Sequence, residues 1–160
     1  IVLFNQLFIY FKFNLLYDKM LWPGTKGCKM GKLKSLSWLK NIKLKKYPFW
    51  RLDTLFSDNK YIDLNVINDG GWHFTNLKTP EEMYEKFMNF GHHDEFRLSG
   101  ITVEKIREKI TNKEMFYDHF ADKSSSNKWE SNYKLKLLNE KMLPKFLIEN
   151  KNKYIEWFSN

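Results

Sequence analysis

Residues 60–90, KYIDLNVINDGGWHFTNLKTPEEMYEKFMNF, carry the strongest structural signals of this 160-residue chain. Within residues 60–76, strand-forming side chains flank the turn-forming sequence Asn-Asp-Gly-Gly at 68–71, which predicts two strands joined by a turn. Thr79, Pro80 and Glu82 then stand at the N-cap, first and third positions of a capping box. Two strands followed by a capped helix are therefore the elements predicted for this segment.

The helix that begins at Pro80 has an amphipathic pattern. Met83, Phe87 and Phe90 are spaced i, i+4 and i+7, which predicts one apolar face. Gly91 is then placed to end the helix.

Residues 1–17, IVLFNQLFIYFKFNLLY, are rich in apolar and aromatic side chains. Polar residues interrupt the run too often for a transmembrane segment, and the run lacks the organisation of a signal peptide. It therefore predicts a buried strand, or one strand followed by a second. Residues 18–50 are basic and are predicted to be irregular, with a turn-forming stretch at Trp22–Gly27 and a short helix capped by Ser35.

Three further elements are predicted towards the C-terminus. A helix is expected over Val103–Thr111 with Thr102 as its cap, and a polar loop over Asp122–Asn132. Pro144 is placed to start a last helix.

Composition excludes several classes of protein. Aromatic residues make up 18% of the chain, which excludes disorder as the main state, and one Cys excludes a disulfide scaffold or a multi-Cys zinc site. The length suits a single domain over residues 1–160. The formal charge of +8 is concentrated in residues 1–50, which favours anionic partners, but 24 of the 27 basic residues are Lys rather than base-reading Arg.

Two groups of ionisable residues are candidates for chemistry. His73 follows the Gly70-Gly71 turn, so its imidazole is predicted to line a polar cleft near the C-terminal end of its strand, and a structural, hydrogen-bonded His is the alternative. The sequence His-His-Asp-Glu at 92–95 follows a helix end, where it forms either a functional cluster or an ordinary polar loop. The sequence contains no Asp-x-Asp pair.

The segment Gly70-Gly71-Trp72-His73-Phe74-Thr75, followed by the helix with Lys86, resembles a GGWH element of glycosyltransferase family 17. Other segments similar to the family occur in the family's order. They are WPGTK at 22–26, LKSLSWL at 33–39 ahead of YPFWR at 47–51, His93-Asp94-Glu95, and LPKFL at 143–147. The third segment can be aligned with the family from either His92 or His93, so its register is open by one residue. The resemblance spans roughly residues 5–158.

The resemblance implies an inverting transferase that moves N-acetylglucosamine, or a related sugar, from a nucleotide sugar such as UDP-GlcNAc to a glycan acceptor. It implies an α/β fold with a few strands and flanking helices, and it implies that this chain is the C-terminal part of a GT-A-like catalytic domain. The acidic motif that binds Mn²⁺ or Mg²⁺ and the donor diphosphate would then lie upstream of Ile1, and the chain alone would be inactive. No transmembrane segment and no nucleic acid are involved in this interpretation.

The resemblance also implies roles for individual residues. His73 would complete the metal shell, Lys26 would face the diphosphate, and Trp22 and Trp72 would stack on sugar rings. Thr25, Gly70, Gly71 and His93 complete the expected substrate-binding set. Asp69, Asp94 and Glu95 are the alternatives for the catalytic base, which inversion by single displacement requires.

A second interpretation is a non-enzymatic module that binds single-stranded nucleic acid. Lys and aromatic residues interleave between Lys29 and Arg51, which is the composition of such sites. Its binding would weaken steeply with salt.

Overall fold

The computed structural model describes residues 1–43, 47–60, 64–91, 93–120 and 129–160. It contains six strands: β1 (Val2–Tyr10), β2 (Leu15–Leu16), β3 (Trp22–Gly27), β4 (Asn65–Ile67), β5 (Trp72–Thr75) and β6 (Lys136–Leu137). Five α-helices are α1 (Leu36–Asn41), α2 (Pro80–Met88), α3 (His93–Leu98), α4 (Val103–Thr111) and α5 (Lys145–Glu149). Short 3₁₀ segments lie at Met30–Lys32, Leu52–Thr54, Glu140–Met142 and Lys151–Trp157. The six strands share one sheet with helices on its flanks, so the predicted α/β class with a few strands is confirmed at that level.

The chain divides into two compact units. The first contains Ile1–Leu7 and Met20–His73, and the second contains Phe8–Lys19 and Phe74–Asn160. Strands β1 and β5 each contribute residues to both units. None of the helices in the described part of the chain is long and apolar enough to cross a bilayer.

In the first unit, β1 is the central strand. Its residues 2–6 pair antiparallel with β3, and residues 2–4 pair parallel with β4. The turn at 68–71 then returns the chain to β1, where the Leu7 N–H donates to the Gly71 carbonyl at 2.8 Å. The two predicted strands joined by a turn are therefore confirmed, and both lie along β1. Tyr61 and Ile62, which belong to the predicted first strand, lie outside the described residues.

The prediction of a turn at Trp22–Gly27 was wrong, because this segment is strand β3. The pairing shifts register between Phe4 and Gln6, opposite Pro23 and Gly24. Proline has no N–H to donate to a sheet, so it is accommodated at edges and bulges. Pro23 and Gly24 therefore indicate an irregular edge strand here, not a turn.

In the second unit, the end of β1 pairs antiparallel with β2 through Ile9 and Leu16, and β2 pairs with β6. The predicted strand at the N-terminus, followed by a second one, is confirmed. Helix α2 packs against α3 and α4. The core beside these helices is aromatic and apolar, and its buried members include Met83, Phe87, Phe96, Ile106, Phe116 and Trp129.

The helical predictions hold at their starts better than at their ends. The Thr79 capping box, the Thr102 and Ser35 caps and a last helix after Pro144 are all present. Helix α2 ends at Met88 with Asn89 as its C-cap, not at Gly91. Phe90 therefore lies beyond the helix and is exposed, so its expected place on the apolar face was wrong. Most of the loop predicted at 122–132 lies outside the described residues.

Candidate functional site

The central feature of the first unit is a stack of two rings. The indole of Trp22, at the start of β3, lies flat on the imidazole of His73 in β5, with ring centroids 4.5 Å apart and an interplanar angle of 14°. His73 is half-buried, as expected for a residue outside the apolar core. It is the second of four residues in β5, so the expectation that it lies near the C-terminal end of its strand was wrong.

Glycines allow this arrangement on both sides of the stack. A Cβ on Gly24 would lie 1.9 Å from Nε1 of Trp22, so the indole covers the space that any side chain at position 24 would need. A Cβ on Gly70 would lie 2.7 Å from the Cβ of Phe4 and 2.9 Å from the Asn5 carbonyl oxygen. Gly71 has a φ of 96°, in the left-handed region that favours glycine. These positions hold the turn at 68–71 close against β1.

Gln6 links the two sequence segments, and sequence reasoning missed it. Its Oε1 accepts a hydrogen bond from the Thr25 hydroxyl at 2.9 Å, and its Nε2 donates to the Trp72 carbonyl at 3.4 Å. Beside it, Asn5 donates from Nδ2 to the side-chain oxygen of Asn68 at 3.0 Å. The available signal was a pair of amides inside an otherwise apolar strand, which indicates polar partners on neighbouring strands.

Lys26 has a structural task in this conformation. Its ammonium donates to the carbonyls of Lys40 at 2.6 Å and Ile42 at 2.8 Å, at the C-terminal end of α1. Burial, and secondly the charge of Lys43, lower the pKa of Lys26. A cation at a helix C-terminus satisfies carbonyls that lack partners in the helix. The contacts therefore tie Lys26 to α1 rather than to a surface open to a diphosphate.

Two other expected site residues are accessible in the first unit. Trp72 is 37% exposed, so part of its indole is open to a ligand. Asp69 lies in the turn and is exposed. Asp69 therefore has the access to solvent that a base for an acceptor hydroxyl needs.

The remaining expected residues belong to the second unit. His93, Asp94 and Glu95 form the first turn of α3, so of the two alternatives for this segment the ordinary polar loop was wrong. Acidic residues favour the first turn of a helix because of its macrodipole, which accounts for the helix here. His93 Nδ1 lies 3.1 Å from the Phe90 carbonyl, and its Nε2 lies 3.3 Å from a carboxylate oxygen of Asp94. His92 lies outside the described residues.

The structure thus brings together Trp22, Thr25, Gly70, Gly71, Trp72 and His73 in one unit, and places His93, Asp94 and Glu95 in the other. Among the residues that the structure describes, no three His, Cys, Asp or Glu side chains form a group able to hold a metal ion.

A second surface feature of the first unit is a run of exposed apolar residues within positions 49–56, in which the Phe49 and Trp50 rings contact each other. We call it the aromatic patch, and it consists of Phe49, Trp50, Leu52, Leu55 and Phe56. The exposed fractions of its rings are 83% for Phe49, 67% for Trp50 and 89% for Phe56. Arg51 and Lys60 lie beside it and both bind the carboxylate of Asp53. Clusters of exposed apolar residues of this kind mark interaction surfaces.

Comparison of the chain with protein-family models, curated proteins and solved structures finds no match.

Proposed function

We propose that this chain carries the acceptor side, and one edge of the donor diphosphate site, of an inverting N-acetylglucosaminyltransferase with a GT-A-like fold. The observation that carries the proposal is the stack between Trp22 and His73. These residues are about 50 positions apart in the sequence and belong to the two segments, WPGT and GGWH, that resemble glycosyltransferase family 17. Two separate motifs can form one substrate site only if the fold brings them together, and the contact between Trp22 and His73 does so.

The chemistry of transfer assigns different tasks to these side chains. A divalent metal, Mn²⁺ or Mg²⁺, would neutralise charge on the departing diphosphate when bound. The stack on Trp22 fixes the plane of the His73 imidazole, so that a ring nitrogen can be presented in one direction. The partly exposed Trp72 offers an aromatic surface for a sugar ring, since such surfaces pack against the apolar faces of sugars.

The base that accepts the proton of the acceptor hydroxyl would be a carboxylate. Asp69 is in the same unit as His73, whereas Asp94 and Glu95 are in the other. Asp94 faces the His93 ring, so its charge is partly committed to that contact. Asp69 is accordingly our first choice among the three.

Binding can be tested on the chain itself. The six Trp indole N–H signals of a ¹⁵N-labelled sample would be followed by NMR during titration with UDP-GlcNAc and Mg²⁺, and then with a chitobiose-containing acceptor. We expect the signals of Trp22 and Trp72 to shift, while that of the buried Trp129 stays in place. Trp72→Ala should abolish acceptor binding, and Trp50→Ala, which removes another exposed indole, is the matched control. Unchanged Trp22 and Trp72 signals at millimolar ligand would contradict the proposal.

Catalysis is tested in a longer protein that supplies an Asp-x-Asp segment, because the sequence of this chain contains no such pair. There His73→Ala should lower kcat by about 10²–10³-fold, the typical cost of losing one charge-stabilising contact. Thermal melting of the same samples separates this from a structural role. If His73→Ala melted at a lower temperature but kept a nearly normal kcat per folded molecule, the role of His73 would be structural.

The aromatic patch favours a second candidate function, binding of single-stranded nucleic acid. Exposed Phe49 and Trp50 rings beside Arg51 provide stacking surfaces and positive charge, the two components of such sites. Fluorescence anisotropy with oligo-U and oligo-dT at several salt concentrations tests it. Binding that weakens steeply with salt and is lost in Trp50→Ala, but retained in Trp72→Ala, would support this function over the transferase.

A further inference from the structure

A small cavity of about 210 Å³ lies within the second unit. It is bounded by the start of α2, by α4, by the residues that follow β1 and by the 3₁₀ segment Lys151–Trp157. Phe11, Ile110 and Trp157 give it an apolar floor. Its volume is below the roughly 300–1,000 Å³ of sites that enclose drug-sized ligands. A ligand for this cavity is therefore small.

The charged side chains around the cavity are unbalanced. Lys12, Lys78 and Arg107 line it, whereas Glu156 is the one acidic residue in its lining. The three cations come from three separate parts of the chain, so the cavity is where they converge. With Glu81, which pairs with Arg107, counted as well, three positive and two negative charges leave a local excess of one positive charge, which attracts a dianion more strongly than a monoanion.

Existing contacts engage two of these cations, Lys12 and Arg107, at partners that a phosphate could replace or share. Lys12 donates to the backbone carbonyl of Glu156 at 2.6 Å and lies 5.2 Å above the centre of the Trp157 ring. Burial lowers its pKa, with the nearby charge of Glu156 opposing that effect. Lys78 makes no hydrogen bond or ion pair with any residue that the structure describes. Arg107 pairs with Glu81, and both side chains are more than half exposed.

The start of α2 adds little by itself. Its capping box already uses the amides of Thr79 and Glu82, which bind each other's side chains at 3.1 and 3.2 Å. The attraction for an anion must come from the three cationic side chains.

We propose that this cavity binds a small phosphomonoester, such as a monosaccharide phosphate. The phosphate would sit among Lys12, Lys78 and Arg107, because Lys and Arg are the usual partners of phosphate oxygens. The sugar would lie against the Trp157 ring, since aromatic faces pack well on the apolar faces of sugars. The proposal is independent of the transferase function, because it uses none of the residues of the first unit.

The test is calorimetric titration of the chain with glucose 6-phosphate, inorganic phosphate and glucose. We expect glucose 6-phosphate to bind most tightly, inorganic phosphate more weakly and glucose not at all. In a ¹⁵N-labelled sample the Trp157 indole signal should shift with glucose 6-phosphate. Lys78→Gln and Arg107→Gln should each weaken binding by about tenfold or more, the cost of one charge-assisted hydrogen bond.

Lys105→Gln is the matched control. Lys105 lies on the same helix as Arg107, is exposed, and pairs with Glu108 outside the cavity. Three results would overturn the proposal. The first is no binding of glucose 6-phosphate at a concentration on the order of 10 mM, a limit for weak affinity. The others are a loss of affinity in Lys105→Gln equal to that in Lys78→Gln and Arg107→Gln, and binding of glucose as tight as that of glucose 6-phosphate. NMR spectra of each variant show whether it is folded, so a loss of binding is interpreted only for folded protein.

Discussion

The substitution Gly24→Ala isolates the ring stack without removing either ring. The new Cβ would lie 1.9 Å from Nε1 and 2.6 Å from Cδ1 of Trp22, which no real pair of atoms tolerates. The indole can rotate away, so the loss in free energy of unfolding equals the stabilisation that the indole gains from its contact with His73. Gly24 has no positive φ, so the backbone itself accepts alanine.

The magnitude follows from three contributions. An aromatic pair contributes about 0.5–1.5 kcal/mol beyond its buried area. Trp22 is half-buried, so its displacement forfeits roughly 1 kcal/mol of apolar burial, about half the value for a fully buried side chain. Replacing glycine by alanine returns about 0.4–1 kcal/mol by restricting the unfolded chain. The net loss in free energy of unfolding should be about 1 kcal/mol.

Gly27→Ala is the control in the same strand. A Cβ there meets only the edge of the Phe4 ring, at 4.0 Å, and Gly27 has no positive φ. It should be neutral or stabilise the protein by about 0.4–1 kcal/mol. Of the two alanine substitutions, three positions apart, only Gly24→Ala should therefore lower the free energy of unfolding.

The assay is urea unfolding followed through the NMR signals of the His73 ring, which report on the first unit. Gly24→Ala would also be made in a Trp22→Ala background, where no indole is left to displace. There the substitution should become neutral or stabilising, and the difference is the coupling energy of the pair. An equal loss with and without the indole would refute the reasoning, because the clash would then involve something other than Trp22.

Three further predictions concern charge and packing. The carboxyl of Asp18 pairs with Lys136, which lowers its pKa. The stability that this pair contributes is therefore present above the ordinary pKa of an Asp and is lost as the pH falls through the pKa of the folded protein. Asp18→Asn should accordingly flatten the acid side of a curve of unfolding free energy against pH. The ammonium of buried Lys109 pairs with Glu114 at 3.1 Å and also donates to the Ser131 carbonyl and the Asn132 side chain, so Glu114→Gln, which leaves the ammonium buried without its carboxylate, should lower the free energy of unfolding in urea by about 1–3 kcal/mol. Gly70→Ala should cost about 1–3 kcal/mol in urea unfolding because backbone atoms of β1 stand in the way of the new Cβ.

Local signals in the sequence predicted local structure well. The capping box at Thr79 and the cap at Thr102 specify helix starts through side-chain bonds to amides three residues away, and both occur as expected. Helix ends were harder, because the end of α2 depends on the Asn89 side chain and amide both bonding the Glu85 carbonyl. Nothing in the apolar spacing of Phe90 distinguishes a helix that ends at Met88 from one that continues.

Long-range placement could not be derived from the sequence. The prediction for Trp22–Gly27 failed because Pro and Gly are the usual signs of a turn, and only pairing with β1 shows that they form an edge strand with a bulge. The role of Gln6 has the same origin, since its two partners are 19 and 66 residues away. His73 was identified as a candidate, but its contact with Trp22 required the fold.

The structure also separates the residues of the GGWH element by the reason each is present. Gly70 is required by the close approach of Phe4 and Asn5, and Gly71 by its φ of 96°, so both glycines are explained by folding alone. Trp72 is different, because a 37% exposed indole contributes only part of its apolar surface to stability. Within this element, the case for transferase chemistry therefore depends on Trp72 and on His73 with its stack on Trp22. Substitutions at the glycines would report on the turn rather than on the reaction.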